Sequence, residues 1–193
     1  MKPFLLRLLS LDERLSAGLA LDNPPKAVEL FLKFVSHSCD SWYWLVGLLL
    51  VWLLAGQDGK EIAVSTGFVT GFLAITILLV KFLFRRPRPE GDWGQVYRVN
   101  DPHSFPSGHA ARATAIVVVV ARFLPWWVVL IVAVWAILVG YSRVALKVHY
   151  LSDVLFGFLF GAIFAIGMLW IFARLMQIFP KIARFLLQGF WRR

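Results

Sequence analysis

The residues of this sequence that are able to do chemistry lie mainly in three short segments separated by apolar sequence. Residues 81–89 read KFLFRRPRP, residues 106–109 read PSGH, and residues 142–153 read SRVALKVHYLSD. The first segment supplies cations, the second joins a serine and a glycine to a histidine, and the third holds an arginine, a histidine and an aspartate. Fixed cations, backbone N–H groups and imidazoles are the groups that bind a phosphate and transfer it.

The cations of the first segment are predicted to bind a shared anion, because four of them lie within residues 81–88. A cation at membrane depth costs about 2.5–3.5 kcal/mol, so such charges usually serve a function. Arg88 has a planar guanidinium that suits two phosphate oxygens, whereas Lys81 acts as a point charge. The alternative is that Lys81 only extends to the lipid headgroups.

The PSGH segment is typical of the start of a helix. Ser107 is a natural N-cap, and Gly108 allows a ligand to approach the backbone closely. N–H groups at such a helix start bind anions. An ordinary cap beside an exposed His109 is the alternative, but it gives no reason for a histidine near the predicted cations.

His149 and Asp153 lie four residues apart at the predicted start of the last helix, and therefore on one side of it. A carboxylate bonded to one ring nitrogen leaves the other nitrogen available for nucleophilic attack. A purely structural pair would look the same, but Arg143, six residues before the histidine, favours a phosphate site. His37 and His103 lie outside the three segments and are not predicted as site residues.

The composition predicts a membrane protein, because 60% of the 193 residues are hydrophobic. Uncharged runs at 62–80 and 154–173 approach the roughly 20 residues that a spanning helix needs. A very apolar soluble bundle is the alternative, but so short a chain has too little interior to bury this surface. The predicted fold is an all-α integral membrane bundle of about five spanning helices plus an amphipathic N-terminal interfacial helix. The expected spans are 27–55, 61–84, 107–124, 126–146 and 151–174. A bend is expected in the first, because Lys33, His37 and Asp40 interrupt its N-terminal half.

The chain is predicted to form a single domain over residues 1–193. It would comprise an interfacial segment (1–25), a membrane core (26–175) and a basic interfacial tail (176–193). The net charge of +9 is explained by membrane edges and a phosphate substrate, so no nucleic-acid partner is expected. Cys39 is the sole cysteine and indicates no redox compartment. The oligomeric state stays open.

Helix direction predicts that the three segments meet. Successive spanning helices alternate in direction, so the end of the second, the start of the third, the end of the fourth and the start of the fifth share one membrane face. The polar residues of all three segments fall at those four points. Scattered positions in sequence are therefore expected to converge in space.

Lys81-x6-Arg88-Pro89, PSGH at 106–109 and Ser142-Arg143-x5-His149-x3-Asp153 together resemble the three-part signature of the type 2 phosphatidic acid phosphatase (PAP2) superfamily. The resemblance implies a metal-independent phosphatase without a cofactor. It implies that His149 is a nucleophile forming a phosphohistidine, that Asp153 orients it and that His109 is the general acid. The residues implied to bind the phosphoryl oxygens are Lys81, Arg88, Ser107, Gly108 and Arg143.

Residues 8–16, 104–113 and 142–154 resemble more narrowly the branch acting on polyisoprenoid diphosphates, including presqualene diphosphate. Lys147 departs from the pattern, since many relatives have glycine there. Alternatives are a phosphatidate or phosphatidylglycerophosphate phosphatase, a lipid phosphotransferase, an anion transporter, a structural membrane protein and a haloperoxidase. The expected partners are a lipid phosphate and the bilayer. The resemblance favours a multi-pass protein of the cell membrane whose site faces outward.

Overall fold

The computed structural model describes residues 2–91, 93 and 101–188. The end of the predicted basic tail (189–193) and part of the stretch between the first two polar segments (92 and 94–100) therefore lie outside the described residues. The described helices, in chain order, are α1 (Lys2–Leu19), α2 (Lys26–His37), α3 (Ser41–Leu54), α4 (Gln57–Phe84), α5 (Gly108–Phe123), α6 (Trp126–Ala145), α7 (Leu151–Ile178) and α8 (Pro180–Gln188).

The all-α membrane bundle predicted from the sequence is confirmed. By length and composition, α4, α6 and α7 can each cross a bilayer, with 28, 20 and 28 residues. The apolar α3 is shorter, at 14 residues. The 16-residue α5 packs against α4, α6 and α7, so much of its surface faces protein instead of lipid. The chain is an integral membrane protein.

The single helix expected over residues 27–55 is wrong, because two helices cover this stretch. α2 ends at His37 and α3 begins at Ser41, with a turn over residues 38–40 between them. Asp40 is extended at the N-cap of α3, and its carboxylate binds two imidazoles instead of capping the helix. These polar contacts and the buried Cys39 hold the turn in place.

α5 and α7 cross in close contact at two glycines of α7. A Cβ on Gly157 would lie 2.7 Å from the carbonyl oxygen of Ser107, and one on Gly161 would lie 2.2 Å from that of Ala111. Small residues four apart allow this backbone approach between membrane helices. The crossing brings the start of α5 against the start of α7, where the Ser107 N–H donates to the carbonyl oxygen of Asp153 at 3.0 Å.

The amphipathic α1 has one apolar and one polar side. Leu8, Leu11 and Leu15 remain about half exposed, as a helix on the membrane surface requires. On the other side, Asp12 Oδ1 accepts from the Ser152 N–H at 2.9 Å, and Ser16 Oγ accepts from the Leu151 N–H at 2.8 Å. The polar side of α1 therefore caps the beginning of α7.

Candidate active site

Three helices and the connections that follow two of them surround one cavity of about 270 Å³. Its polar end holds residues from the ends of α4 and α6, the start of α5 and the connections that follow α4 and α6. Its wall is the apolar face of α4. The lining residues are Thr70, Leu73, Ala74, Ile77, Leu78, Lys81, Arg88, Asp101, Gly108, His109, Arg112, Arg143 and His149. The structure thus brings six of the eight residues predicted for the site into one cavity.

The two predicted site residues that do not line this cavity, Ser107 and Asp153, are buried directly behind it. Ser107 Oγ accepts from the Ala110 N–H at 3.4 Å and caps α5. The N–H groups of Gly108 and His109 belong to the first turn of α5, which has no intrahelical acceptors. Gly108 lines the cavity, whereas the Ser107 N–H is already bound to the Asp153 carbonyl oxygen, so the Gly108 N–H is the better placed of these two.

Lys81 and Arg88 are both buried and both bind the carboxylate of Asp101. Lys81 Nζ lies 2.6 Å from Asp101 Oδ2, and Arg88 Nη2 lies 2.8 Å from the same oxygen. Arg88 Nε also donates to the Asp101 carbonyl oxygen at 2.8 Å. The predicted shared anion is therefore a carboxylate of the chain itself, at the position where a phosphate oxygen would bind.

The shared-anion expectation is wrong for Arg85 and Arg86. Arg85 is exposed, and its Nε donates to the Phe82 carbonyl oxygen. Arg86 Nη1 lies 2.8 Å from Asp153 Oδ1, and its Nη2 lies 2.6 Å from Asp12 Oδ2. Arg86 thus links α1 to the carboxylate behind His149, away from the cavity.

The short connection from α6 to α7 positions His149. Arg143, in the last turn of α6, accepts from the Val148 and His149 N–H groups with its carbonyl oxygen, each at 3.0 Å. Its guanidinium donates to Ser36 Oγ on α2. Lys147 turns the chain with a φ of 55°, a conformation that favours glycine, and binds Asp22 outside the cavity. The six-residue spacing between Arg143 and His149 is therefore the number of residues that the chain needs to turn back from the end of α6.

Arg88 lies beside the ring of His149. Arg88 Nη1 donates to the Val148 carbonyl oxygen at 2.9 Å and lies 3.3 Å from His149 Nε2. Burial, followed by the charges of Arg88, Arg143 and Lys81, lowers the pKa of His149 well below its usual value. A neutral imidazole has a lone pair for attack, so these surroundings favour the nucleophilic form.

The predicted hydrogen bond between His149 and Asp153 is not formed. His149 Nδ1 lies 3.6 Å from Asp153 Oδ2, which is too long for a hydrogen bond. The carboxylate accepts instead from the Tyr150 N–H at 2.9 Å and from Arg86. Asp153 still stands behind Nδ1, which leaves Nε2 on the Arg88 side of the ring. Such contacts are often loose before substrate binds.

His109 is bound by a residue that the sequence did not single out. His109 Nε2 lies 2.8 Å from Asp40 Oδ1, and His37 Nδ1 lies 2.7 Å from Asp40 Oδ2. Burial alone would raise the pKa of Asp40, but the hydrogen bonds from His109 and His37 lower it to about 2. The sequence contained a signal for this role, because an acidic residue within an apolar stretch is usually functional.

Arg112 and Asp101 were also missed. Arg112 lies three residues after His109, on a neighbouring part of α5, and its Nη1 donates to the Cys39 carbonyl oxygen at 2.6 Å. Asp101 follows the cationic segment by more than ten residues, with no fixed spacing that indicates a contact. Only the folded loop brings its carboxylate to Lys81.

Comparison with known proteins finds relatives in one family. The family model of the PAP2 superfamily matches residues 62–177. Phosphatidylglycerophosphatase B of Bacillus subtilis is 46% identical over 68 residues, which cover 30% of this chain and 34% of that protein. Undecaprenyl-diphosphatase of Sulfolobus acidocaldarius is 30% identical over 125 residues, which cover 63% of this chain and 58% of that protein. Decaprenylphosphoryl-5-phosphoribose phosphatase of Mycobacterium tuberculosis is 36% identical over 125 residues, which cover 62% of this chain and 66% of that protein. The matches thus span from about a third to just under two thirds of these relatives.

A solved structure has the same fold. The crystal structure of a transmembrane PAP2-type phosphatidylglycerolphosphate phosphatase from Bacillus subtilis aligns with a TM-score of 0.69 at 25% identity, covering 87% of each chain. The matched family region contains all three polar segments and every residue that lines the cavity. This chain belongs to the PAP2 superfamily.

Proposed function

We propose that this protein is a membrane-embedded, metal-independent lipid phosphatase that hydrolyses a polyprenyl diphosphate or a related lipid phosphate through a phosphohistidine intermediate. One observation carries the proposal: a single cavity has Lys81, Arg88 and His149 at one end and an apolar wall of α4 along its side. Ala74 and Leu78 of this wall are also exposed on the outer surface of the bundle. A lipid chain can therefore lie along α4 while its phosphate reaches the cations.

In the first step, His149 Nε2 attacks the phosphorus atom and a phosphorus–nitrogen bond forms. The bond to the leaving oxygen breaks, and His109 gives that oxygen a proton. Negative charge spreads over the equatorial phosphoryl oxygens, which Lys81, Arg88 and Arg143 stabilise. Because these cations are held by other residues before substrate binds, little reorganisation is needed during the reaction.

In the second step, water attacks the phosphohistidine. His109, now neutral, takes a proton from the water, the phosphorus–nitrogen bond breaks, and phosphate leaves. The same cations stabilise the charge in both steps. They supply the positive charge that a metal ion provides in other phosphoryl-transfer enzymes, which is the reason for proposing a metal-independent reaction.

The relatives described above support two substrate classes. The names of the Sulfolobus and Mycobacterium proteins refer to polyprenyl substrates. The names of both Bacillus proteins refer to phosphatidylglycerophosphate, so a glycerophospholipid phosphatase is the second candidate. The narrow resemblance in residues 8–16, 104–113 and 142–154 favours the polyprenyl class. A phosphotransferase would use another lipid in place of water in the second step.

The test is phosphate release by the purified protein in detergent from farnesyl diphosphate, phosphatidate and phosphatidylglycerophosphate. We expect the highest kcat/KM for the prenyl diphosphate, unchanged activity in EDTA, and no turnover by His149→Ala. Acid-labile, alkali-stable labelling of the wild-type protein by ³²P-substrate would identify the phosphohistidine. Turnover by a folded His149→Ala variant would refute the assignment, and loss of activity in EDTA would refute the metal-independent mechanism.

The proposed location is the cell membrane, with the site facing outward as in the bacterial lipid-diphosphate phosphatases that the sequence resembles. Glu90 is exposed near the site, whereas the native Cys39 is buried. Labelling of a Glu90→Cys variant in intact cells by a membrane-impermeant maleimide is expected. Labelling only after the cells are opened would place the site inside.

A further inference from the structure

The turn between α2 and α3 places a carboxylate directly against the predicted general acid. Asp40 Oδ1 lies 2.8 Å from His109 Nε2, and Asp40 Oδ2 lies 2.7 Å from His37 Nδ1. The turn is held to α5 by two further contacts, from Arg112 Nη1 to the Cys39 carbonyl oxygen at 2.6 Å and from Cys39 Sγ to the His109 carbonyl oxygen at 3.5 Å. Asp40 therefore has a defined position relative to the ring of His109.

The contacts of Asp40 are unusual for its place in the chain. It occupies the N-cap of α3, where an aspartate normally accepts a hydrogen bond from the first turn of the helix. Here its side chain makes no capping hydrogen bond. Both carboxylate oxygens bind imidazoles instead. A residue kept only to start α3 would have the opposite arrangement.

The surroundings of His109 explain why a carboxylate is needed there. His109 shares the cavity with Lys81, Arg88, Arg112 and Arg143, which all disfavour a second positive charge on its ring. A general acid must nevertheless hold its proton until the leaving oxygen needs it. Asp40 acts against this repulsion through a direct contact with the ring. The carboxylate of Asp101, which lines the cavity, is already bound to two of these cations.

We propose that Asp40 is a positioning residue for the general acid His109, an inference that rests on the function proposed above. Asp40 binds Nε2, stabilises the protonated ring and leaves Nδ1 to give its proton to the leaving oxygen. His37 fixes the orientation of the carboxylate by binding its other oxygen. The proton passes from His109 to the leaving group in the first step and returns from water in the second, so Asp40 stays ionised throughout.

The test compares two leaving groups. An alkyl phosphate needs a proton on its leaving oxygen, whereas 4-nitrophenyl phosphate releases a stable phenolate without one. Because kcat/KM reports the steps up to leaving-group departure, it isolates the general-acid step. Asp40→Asn is expected to lower kcat/KM about 10–100-fold for the alkyl phosphate, within the range for losing a supporting contact to a catalytic group. For 4-nitrophenyl phosphate we expect a decrease of less than about 3-fold.

Two controls separate this role from a structural one. Glu29→Gln removes a carboxylate from α2 that binds only Lys33 among its described contacts, and it is expected to leave both kcat/KM values unchanged. In a His109→Gln background, Asp40→Asn is expected to cause no further loss, because it acts through the missing histidine. Equal decreases for both substrates, or a full additional loss in that background, would overturn the proposal.

A second variant keeps the proposal testable if Asp40→Asn fails to fold. His37→Ala removes the donor to the outer oxygen from a side chain that is 45% exposed. It is expected to lower kcat/KM for the alkyl phosphate by about 2–5-fold and to leave kcat/KM for 4-nitrophenyl phosphate unchanged. This effect is smaller than that of removing the carboxylate itself. An equal loss for both substrates would again count against the inference. The proposed function itself fails on different evidence, namely absence of turnover in the wild type or full turnover by His149→Ala.

Discussion

Asp101 occupies the anion position of the cavity, and replacing it by asparagine is predicted to tighten phosphate binding. Its carboxylate lies 2.6 Å from Lys81 Nζ and 2.8 Å from Arg88 Nη2. A bound phosphate has to take these two contacts from it. The Asp101→Asn substitution keeps the shape of the side chain but removes the negative charge that competes with the phosphate.

The magnitude follows from the two contacts. Hydrogen bonds to charged groups contribute about 1.5–3 kcal/mol each when they are buried. The side chain of Asp101 is 40% exposed, so solvent screening reduces the pair to about 1–2 kcal/mol in total. This difference corresponds to phosphate affinity about 5–30-fold higher in Asp101→Asn.

Isothermal titration of the detergent-solubilised protein with inorganic phosphate measures this affinity directly. Asp22→Asn is the matched control, because its carboxylate binds Lys147 away from the cavity and its removal is expected to change nothing. Unchanged or weaker phosphate binding by Asp101→Asn would refute the reasoning. In that case Asp101 would serve to hold Lys81 and Arg88 in place instead of competing with their ligand.

Two further predictions concern stability. Gly161→Ala is expected to destabilise the protein by about 3 kcal/mol, since its Cβ would lie 2.2 Å from a backbone oxygen of α5. Gly167→Ala on the same helix meets nothing within 4 Å and is expected to be neutral or slightly stabilising. Thermal unfolding in detergent compares the two variants, and equal Tm values would contradict the close crossing. Stability is also expected to fall as pH drops below about 6.5, because the unfolded chain protonates His149 while the folded protein, with its lowered pKa, does not. The Tm of His149→Gln should therefore depend less on pH between about 7 and 5, and an identical slope in both proteins would count against a buried neutral imidazole.

The helices were predictable where apolar length alone determines them. The expected spans 126–146 and 107–124 differ from the observed Trp126–Ala145 and Gly108–Phe123 by one residue at most at each end. Pro125 and Ser107 mark two of these starts in the sequence itself. Polar residues indicated a bend in the span 27–55, but not that the helix ends at His37. The break at residues 38–40 depends on contacts of Asp40 with a histidine 69 residues away.

The site was predictable where helix direction alone brings its residues together. Lys81, Arg88, Arg143 and His149 meet because helix direction alternates, and direction follows from the number of helices. Two of the carboxylates that bind the groups of the site, Asp40 and Asp101, lie outside the helices, where no helical spacing relates them to their partners. A sequence pattern therefore indicated the cations, the imidazoles and Asp153, but not Asp40 and Asp101.

The positions of the acidic residues explain how one cavity holds its cations in the membrane and still binds substrate. Buried cations are costly at this depth unless an anion compensates them. Asp40 and Asp153 lie at helix starts, where backbone or imidazole contacts hold them, and each stands behind one of the two histidines. Asp101 lies in a loop and compensates the cations themselves. We therefore expect a phosphate to replace Asp101 without disturbing the two carboxylates that stand behind the histidines.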